Sequence, residues 1–341
     1  MDAIFLQVLN GLEKGGAYAL IALGLTLIFG TLGVVNFAHG ALFMLGAFCA
    51  VVMRSLLTYE VATGEVEATA WGTEVAVTTP YVTQLFGDFG STLIDWSVPV
   101  SILLTVPVML LLGWIMERGL IRHFYKRPHA EQILVTFGFA IVLAELVKAY
   151  FGANPIPVPE PKALAGLVDF SSLFGAEEGT IRYPMWRFVY FLFSTVIILV
   201  VFCFLRFTTF GMVVRAGMED RETVGLLGIN IGKRFTFMFA VSAVIAGLAG
   251  AMYTPIISPD YNIGMEFLVL SFVVVVVGGM GSLGGAVSAG FLLGLLQSFS
   301  AMNEVKAIIP GIDQIIIYLL AIVVLLVRPR GLMGRKGVME T

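Results

Sequence analysis

The chain is a succession of long apolar runs separated by short charged loops, and that alternation limits it to folds that live in a bilayer. A helix rises about 1.5 Å per residue and the hydrocarbon layer is about 30 Å thick, so one crossing takes roughly 20 mostly apolar residues. Runs of that order extend over 15–34, 98–116, 131–150, 188–205, 235–257 and 312–327, with shorter ones at 41–53, 267–277 and 286–299. In lipid the backbone must satisfy its own hydrogen bonds, which makes these segments helical. The expected fold class is all-α: a polytopic transmembrane helical bundle, one domain over residues 1–341, with two interrupted hydrophobic segments. Only 13% of the residues are charged and mean hydropathy is +0.95, which excludes a cytosolic enzyme. A net charge of −3 leaves no basic field for nucleic acid. Cys49 and Cys203 sit in apolar runs, where a thiol behaves as a small hydrophobe, so neither a disulfide nor redox chemistry is expected. Residues 1–10 carry Asp2 and no Lys or Arg, so a cleavable signal peptide is not expected and the first span stays in place.

Lys and Arg collect on the cytoplasmic side of membrane proteins. Here they form three clusters: Arg118, Arg122, Lys126 and Arg127; Arg206, Arg215, Arg221, Lys233 and Arg234; and Arg328, Arg330, Arg335 and Lys336. Segments 117–130, 206–234 and 328–341 are therefore expected in the cytoplasm. The stretch 58–97 carries Glu60, Glu65, Glu67, Glu74, Asp88 and Asp95 and no base, and 154–184 is Pro-rich and mildly acidic, so both are expected outside, in the periplasm. Crossings between these anchors balance only if the chain reverses at two internal breaks, which puts the amino terminus outside.

The first break reads Gly33-Val34-Val35-Asn36-Phe37-Ala38-His39-Gly40 and the second Gly278-Gly279-Met280-Gly281-Ser282-Leu283-Gly284-Gly285. Freed backbone at membrane depth is tolerated where protein covers it or where it lines a watery cavity, and paired breaks in two halves of a transport protein point to the translocation route. On that reading Asn36, His39, Gly40, Gly279, Gly281, Ser282 and Gly284 line the route; the competing reading is close packing. Asn36 and His39, three apart, share a helical face and either contact the solute or satisfy the freed backbone. Gly279-Met280-Gly281-Ser282-Leu283-Gly284 also fits a dinucleotide fingerprint, but the segment 286–299 that follows has no charge and no βα series surrounds it. Glu145 and Lys148 read as an interfacial ion pair. Ser242, Ala246 and Gly250, with Ala243, Gly247 and Ala251, form two ridges of small residues for close helix packing.

Between Arg206 and Arg234 lies a segment too polar to cross and too patterned for a slack linker. It is expected to form one short amphipathic helix over about 218–227, with Glu219, Asp220 and Glu222 in its first turns, Val224 and Leu227 on one face and Gly228 as its stop. Membrane-resting helices carry bases on their polar face, so an acidic first turn favours docking on a protein. Arg215, Glu219, Asp220, Val224, Leu227, Gly228, Ile229 and Asn230 are the expected docking residues. Gly228-Ile229-Asn230-Ile231-Gly232-Lys233-Arg234 is no phosphate loop: it has three residues between its glycines rather than four, and Arg where Ser or Thr should follow Lys. Any energy coupling must come from another polypeptide.

These residues carry a resemblance that spans almost the whole chain. Gly16-Ala17-Tyr18-Ala19-Leu20-Ile21-Ala22-Leu23-Gly24-Leu25-Thr26-Leu27-Ile28-Phe29-Gly30, followed by Asn36-Phe37-Ala38-His39-Gly40, resembles the opening of LivH-type permeases of branched-chain amino acid ABC importers. The segment Gly211 to Asn230, the run Gly278 to Gly285 and the ending Arg328-Pro329-Arg330-Gly331-Leu332-Met333-Gly334 are similar to that family in the same order. The resemblance implies a permease subunit of the bacterial inner membrane, paired with a second, LivM-type permease. It further implies two cytoplasmic ATPase subunits, which bind the ATP and Mg, no cofactor in this chain, and a periplasmic binding protein that delivers branched-chain amino acids. Relatives of this type also import urea, short amides and other small acids. The loop 58–97 is longer than the pattern and Thr223 replaces a common alanine. Of other classes, a stand-alone secondary transporter or channel would show broken helices but need no docking segment. An intramembrane enzyme would need more than His39 and Glu145, which lie far apart in sequence.

Overall fold

A computed structural model describes residues 2–68, 74–125, 127–219 and 221–334. Lys126, Asp220, Arg335 and Lys336 thus lie outside the described residues. The bundle is all-α. Seven of its described helices are long and apolar enough to span a bilayer: α1 (Asp2–Leu32), α2 (His39–Leu57), α5 (Ser97–Gly119), α6 (His129–Phe151), α7 (Met185–Phe207), α10 (Ile231–Tyr253) and α12 (Leu283–Ser300). Two shorter apolar helices, α11 (Ile263–Gly278) and α14 (Ile312–Val327), accompany them. The short helices α3 (Tyr81–Phe86), α4 (Asp88–Asp95), α8 (Thr209–Glu219), α9 (Arg221–Leu226) and α13 (Asn303–Ile308) lie in the connections.

Helix α1 is the axis of the molecule. It begins well before the expected Gly15, and at about 1.5 Å per residue its 31 residues exceed the hydrocarbon thickness. The polar pair Glu13-Lys14 masks the early turns in a hydropathy reading; in the fold Glu13 is buried against Arg187 and the helix runs through it. From Gly15 to Ile28 every residue is buried, which is the pattern of a helix surrounded by others rather than one facing lipid. Its glycines permit this. A Cβ on Gly11 would lie 2.7 Å from the Leu295 backbone and one on Gly15 2.8 Å from that of Phe291, so α12 packs antiparallel on α1 at nearly backbone contact. The ridges expected on α10 do the same work: Gly250 abuts the Phe43 carbonyl, Gly247 abuts Met109 on α5, and Ala243 faces Gly113.

Contacts sort the connections onto two faces. One face holds the segments 58–96 and 152–184, joined by the Asp95–Lys162 ion pair at 2.6 Å, while the Ile156 amide, donating to the Pro259 carbonyl at 3.1 Å, ties 152–184 to the α10–α11 connection. Two short hairpins build this face, β1 (Glu60–Ala68) with β2 (Glu74–Pro80), and β3 (Leu167–Asp169) with β4 (Arg182–Pro184), so the acidic stretch is structured rather than slack. The start of α1 belongs to the same face, where Phe5 packs edge-on to Phe170 and Phe174. The opposite face holds 120–128, the α7–α10 connection and residues 328–334.

Candidate solute route and docking surface

The first break follows Gly33, whose φ of +66° ends α1. The chain then climbs back into the bundle. The Phe37 amide donates to Thr136 Oγ1 at 3.0 Å, in the first third of α6, and Phe48 meets Phe151 at the end of α6. Helix α2 therefore starts near mid-depth and runs outward to the hairpin face. At its first turn, Gly40 touches α11 so closely that a Cβ would lie 2.1 Å from the Gly264 carbonyl oxygen.

Asn36 and His39 sit at this inner helix start with 0% exposure. Asn36 Oδ1 accepts from the Ala38 amide at 3.1 Å, while Asn36 Nδ2 has no hydrogen-bond partner among the described residues and the His39 ring lies against the Ile21 backbone without a well-formed hydrogen bond. His39 lies against Gly24 of α1, whose carbonyl accepts from Ser242 Oγ of α10 at 2.7 Å. Three helices thus meet at one enclosed polar point. Both side chains are fully enclosed in this conformation. A narrow cleft between α2, α6 and α11, lined by Ala41, Met44, Ala140, Ala144, Tyr261 and Leu268, lies just beyond them toward the hairpin face.

The second break is elsewhere. Gly279 and Gly281, with φ of +102° and +82°, make a tight turn between α11 and α12, and Ser282 caps α12 by accepting from the Gly285 amide at 3.1 Å. Residues 331–334 cover this turn: Leu332 and Met333 donate amides to the carbonyls of Val277 and Gly278 at 2.8 and 3.0 Å, and a Cβ on Gly279 would lie 2.4 Å from the Gly334 amide. Gly284 faces Met333. The close-packing reading describes this break, and the structure does not bring it to Asn36 and His39.

The docking segment also differs from expectation. Helix begins earlier than 218: the described residues are helical over Thr209–Glu219 and again over Arg221–Leu226, and Gly211 lets the start of α8 fold tightly against the end of α7, where Arg215 donates to the Leu205 carbonyl. Val224 is 6% exposed and packs into the chain's own core, whereas Leu226 and Leu227 are 88% and 73% exposed. Val224 and Leu227 thus differ in burial within this chain, and Leu226 is exposed beside Leu227. Gly228, at φ +77°, ends the segment as expected, Asn230 caps α10 through the Lys233 amide, and Ile229 is half-buried. For Glu219 the described structure gives only a place at the end of α8.

Sequence reasoning missed Glu13. It is 1% exposed, 3.9 Å from Arg187, and lies against the Tyr253 phenol, with Oε1 unpartnered. Around it, Trp186 donates to the Met252 carbonyl at 3.1 Å and Tyr18 to Gln297 Oε1 at 2.6 Å, tying α1, α7, α10 and α12 together. Glu145 and Lys148 form the expected pair at 3.5 Å, with Lys148 also over the Tyr261 ring.

A family model described as the permease component of branched-chain amino acid transport systems matches residues 7–325. The chain belongs to that family. It is 27% identical to the high-affinity branched-chain amino acid permease protein LivH of Salmonella typhimurium, over 97% of this chain and 96% of that protein. With the Pseudomonas aeruginosa permease protein BraD the identity is 28%, over the same shares of the two chains. A more distant similarity, 24%, links it to the ribose import permease RbsC of Haemophilus influenzae over 66% of this chain and 69% of that one. No solved structure is significantly similar. The chain is a membrane-spanning permease subunit of the ABC importer type, multi-pass in a bacterial inner membrane, and membership implies the usual company of a second permease, ATPases and a binding protein.

Proposed function

We propose that this permease carries branched-chain amino acids inward after a periplasmic binding protein delivers them, with a LivM-type partner permease and two ATPase subunits beneath. One observation supports this substrate above others: similarity to permeases named for branched-chain amino acids extends over nearly the full length of both chains, whereas similarity to the ribose permease covers about two thirds. The hairpin face is assigned to the periplasm and the basic face to the cytoplasm, on the Lys/Arg asymmetry.

The solute passes along the α2–α6–α11 cleft, which has room for only about 10 Å³ in this conformation and opens when α6 moves aside. Helix α6 is the movable wall, since few of its side chains are buried: Gln132, Thr136, Ala140 and Val147. Asn36 and His39, enclosed at the inner start of α2, act as the hinge below the cleft, where a small shift of α1 or α10 changes which groups they can hydrogen-bond. The glycine turn at 278–285 fixes the cytoplasmic ends of α11 and α12. The ATPase grips the end of α9 by Leu226 and Leu227, and Arg215, tying α8 to the end of α7, transmits its motion.

The test is uptake of radiolabelled leucine by cells that lack their own high-affinity import and co-express this chain with its binding protein and partner subunits. Saturable leucine uptake, competed by isoleucine and valine and lost when the ATPase is inactive, is the expected result. Competition by urea or ribose instead assigns another small solute, and uptake without any ATPase makes the chain a stand-alone carrier.

A further inference from the structure

A groove on the basic face lies beside the docking segment and shares Gly228, Ile229 and Asn230 with its end. It has a volume of about 670 Å³ between the start of α8 and the start of α10, with Phe210, Ile229 and Phe237 as its apolar walls and Lys233, Arg234 and Asn230 at its mouth. Arg234 lies 5.2 Å from the centre of the Phe210 ring, and the Phe210 and Phe237 rings meet edge to face at 5.2 Å. Neither Lys233 nor Arg234 has a carboxylate within ion-pair distance among the described residues. Phe237, one turn deeper along α10, is 43% exposed, and the neighbouring Phe207 at the end of α7 is 77% exposed, so the groove opens sideways at the level where membrane helices end.

We propose that this groove binds one anionic phospholipid, its phosphate between Lys233 and Arg234 and one acyl chain along Phe237. The chemistry is two-sided. Two cations without carboxylate partners call for a phosphodiester, and point to the leaflet that carries negative headgroups. The aromatic walls call for hydrocarbon, which a free anion does not supply. The site rests on the side-chain cations rather than on the end of α10, because Asn230 Oδ1 already accepts from the Lys233 amide at 3.1 Å. The same segment, 228–234, that imitates a nucleotide loop in sequence is thereby given a different phosphate partner.

The importer purified with its partner subunits, titrated with phosphatidylglycerol or with phosphatidylcholine of the same chains, and read by native mass spectrometry, tests this. Retention of phosphatidylglycerol should exceed that of phosphatidylcholine at least about tenfold, the contribution expected of two headgroup cations. Lys233→Gln with Arg234→Gln should abolish the preference, while Arg118→Gln with Arg122→Gln, two other exposed bases of that face, should preserve it. Phe237→Ala should weaken long-chain phosphatidylglycerol more than short-chain. Equal retention of both lipids, or equal losses in the two double variants, overturns the proposal. So does displacement of the lipid by inorganic phosphate at equal concentration, or a double variant that loses the ATPase while keeping the lipid preference.

Discussion

Val224 and Leu226 are two residues apart in sequence and opposite in role, which gives the docking assignment a sharp test. Val224 is 6% exposed, so Val224→Ala removes two buried carbons from the core and costs about 1–2 kcal/mol of the chain's own stability. Leu226 and Leu227 are mostly exposed, so changing both to Asp should leave the isolated permease within about 0.5 kcal/mol of wild type. At a docked ATPase the balance reverses. A fully buried leucine contributes about 1.5–3 kcal/mol, so even half burial of the pair is worth about 1.5–3 kcal/mol, roughly ten- to a hundredfold in association. An unpaired carboxylate taken into the contact adds to the loss. Co-purification of the ATPase, membrane abundance of the permease and solute uptake should be measured for both variants. The double aspartate should lose the ATPase and uptake at normal abundance; Val224→Ala should lose abundance or thermal stability first and keep the ATPase in proportion to the folded chain. ATPase retention by the double aspartate would refute the reasoning and leave this corner resting on lipid.

Gly250→Leu should reduce folded permease in the membrane severalfold, since its Cβ would meet the Phe43 carbonyl at 2.1 Å and overpacking of this kind costs about 1–3 kcal/mol, whereas Gly138→Ala, with open space around it, should be neutral in the same abundance assay. His39→Phe should lower uptake while assembly with the ATPase persists; undiminished uptake in His39→Phe with Asn36→Leu would remove the hinge role. In a chain with Cys49 and Cys203 replaced by Ala, an impermeant thiol reagent on intact cells should label Tyr81→Cys and spare Arg122→Cys, and the reverse pattern would invert the orientation. On the hairpin face, the Ser171 hydroxyl and amide, together with the Gly179 amide at 2.6 Å, hold the Asp169 carboxyl below the usual carboxylate range. Order in that loop should therefore be constant above the ordinary Asp pKa of about 3.9 and fall as pH drops through the depressed value, read as amide exchange at Gly179, with Asp169→Ala removing the dependence.

What hydropathy makes legible here is the set of apolar segments, because burial in lipid and burial in protein demand the same residues. It is also why the reading stops short of Asp2: Glu13 resembles a loop residue in a linear window, and only Arg187, far away in sequence, shows that α1 runs straight through it. The same limit applies to the two breaks. Glycine reports that the backbone leaves helix geometry or that another backbone segment approaches closely; Gly40, inside α2, shows the second and Gly279 shows both, and one meets α11 in the interior while the other meets residues 331–334 at the rim. No local pattern distinguishes those partners. The reading of 218–227 as one amphipathic helix meets a related limit. Val224 and Leu227 are three apart and would share a face of one continuous helix, yet α9 ends at Leu226, and past that end the spacing no longer sets direction. Val224 turns into the core and Leu227 away from it. A pairing inferred from helical spacing is therefore only as sound as the helix that carries both residues, and at this corner the boundary of the helix, rather than its composition, decides which leucine can face a partner.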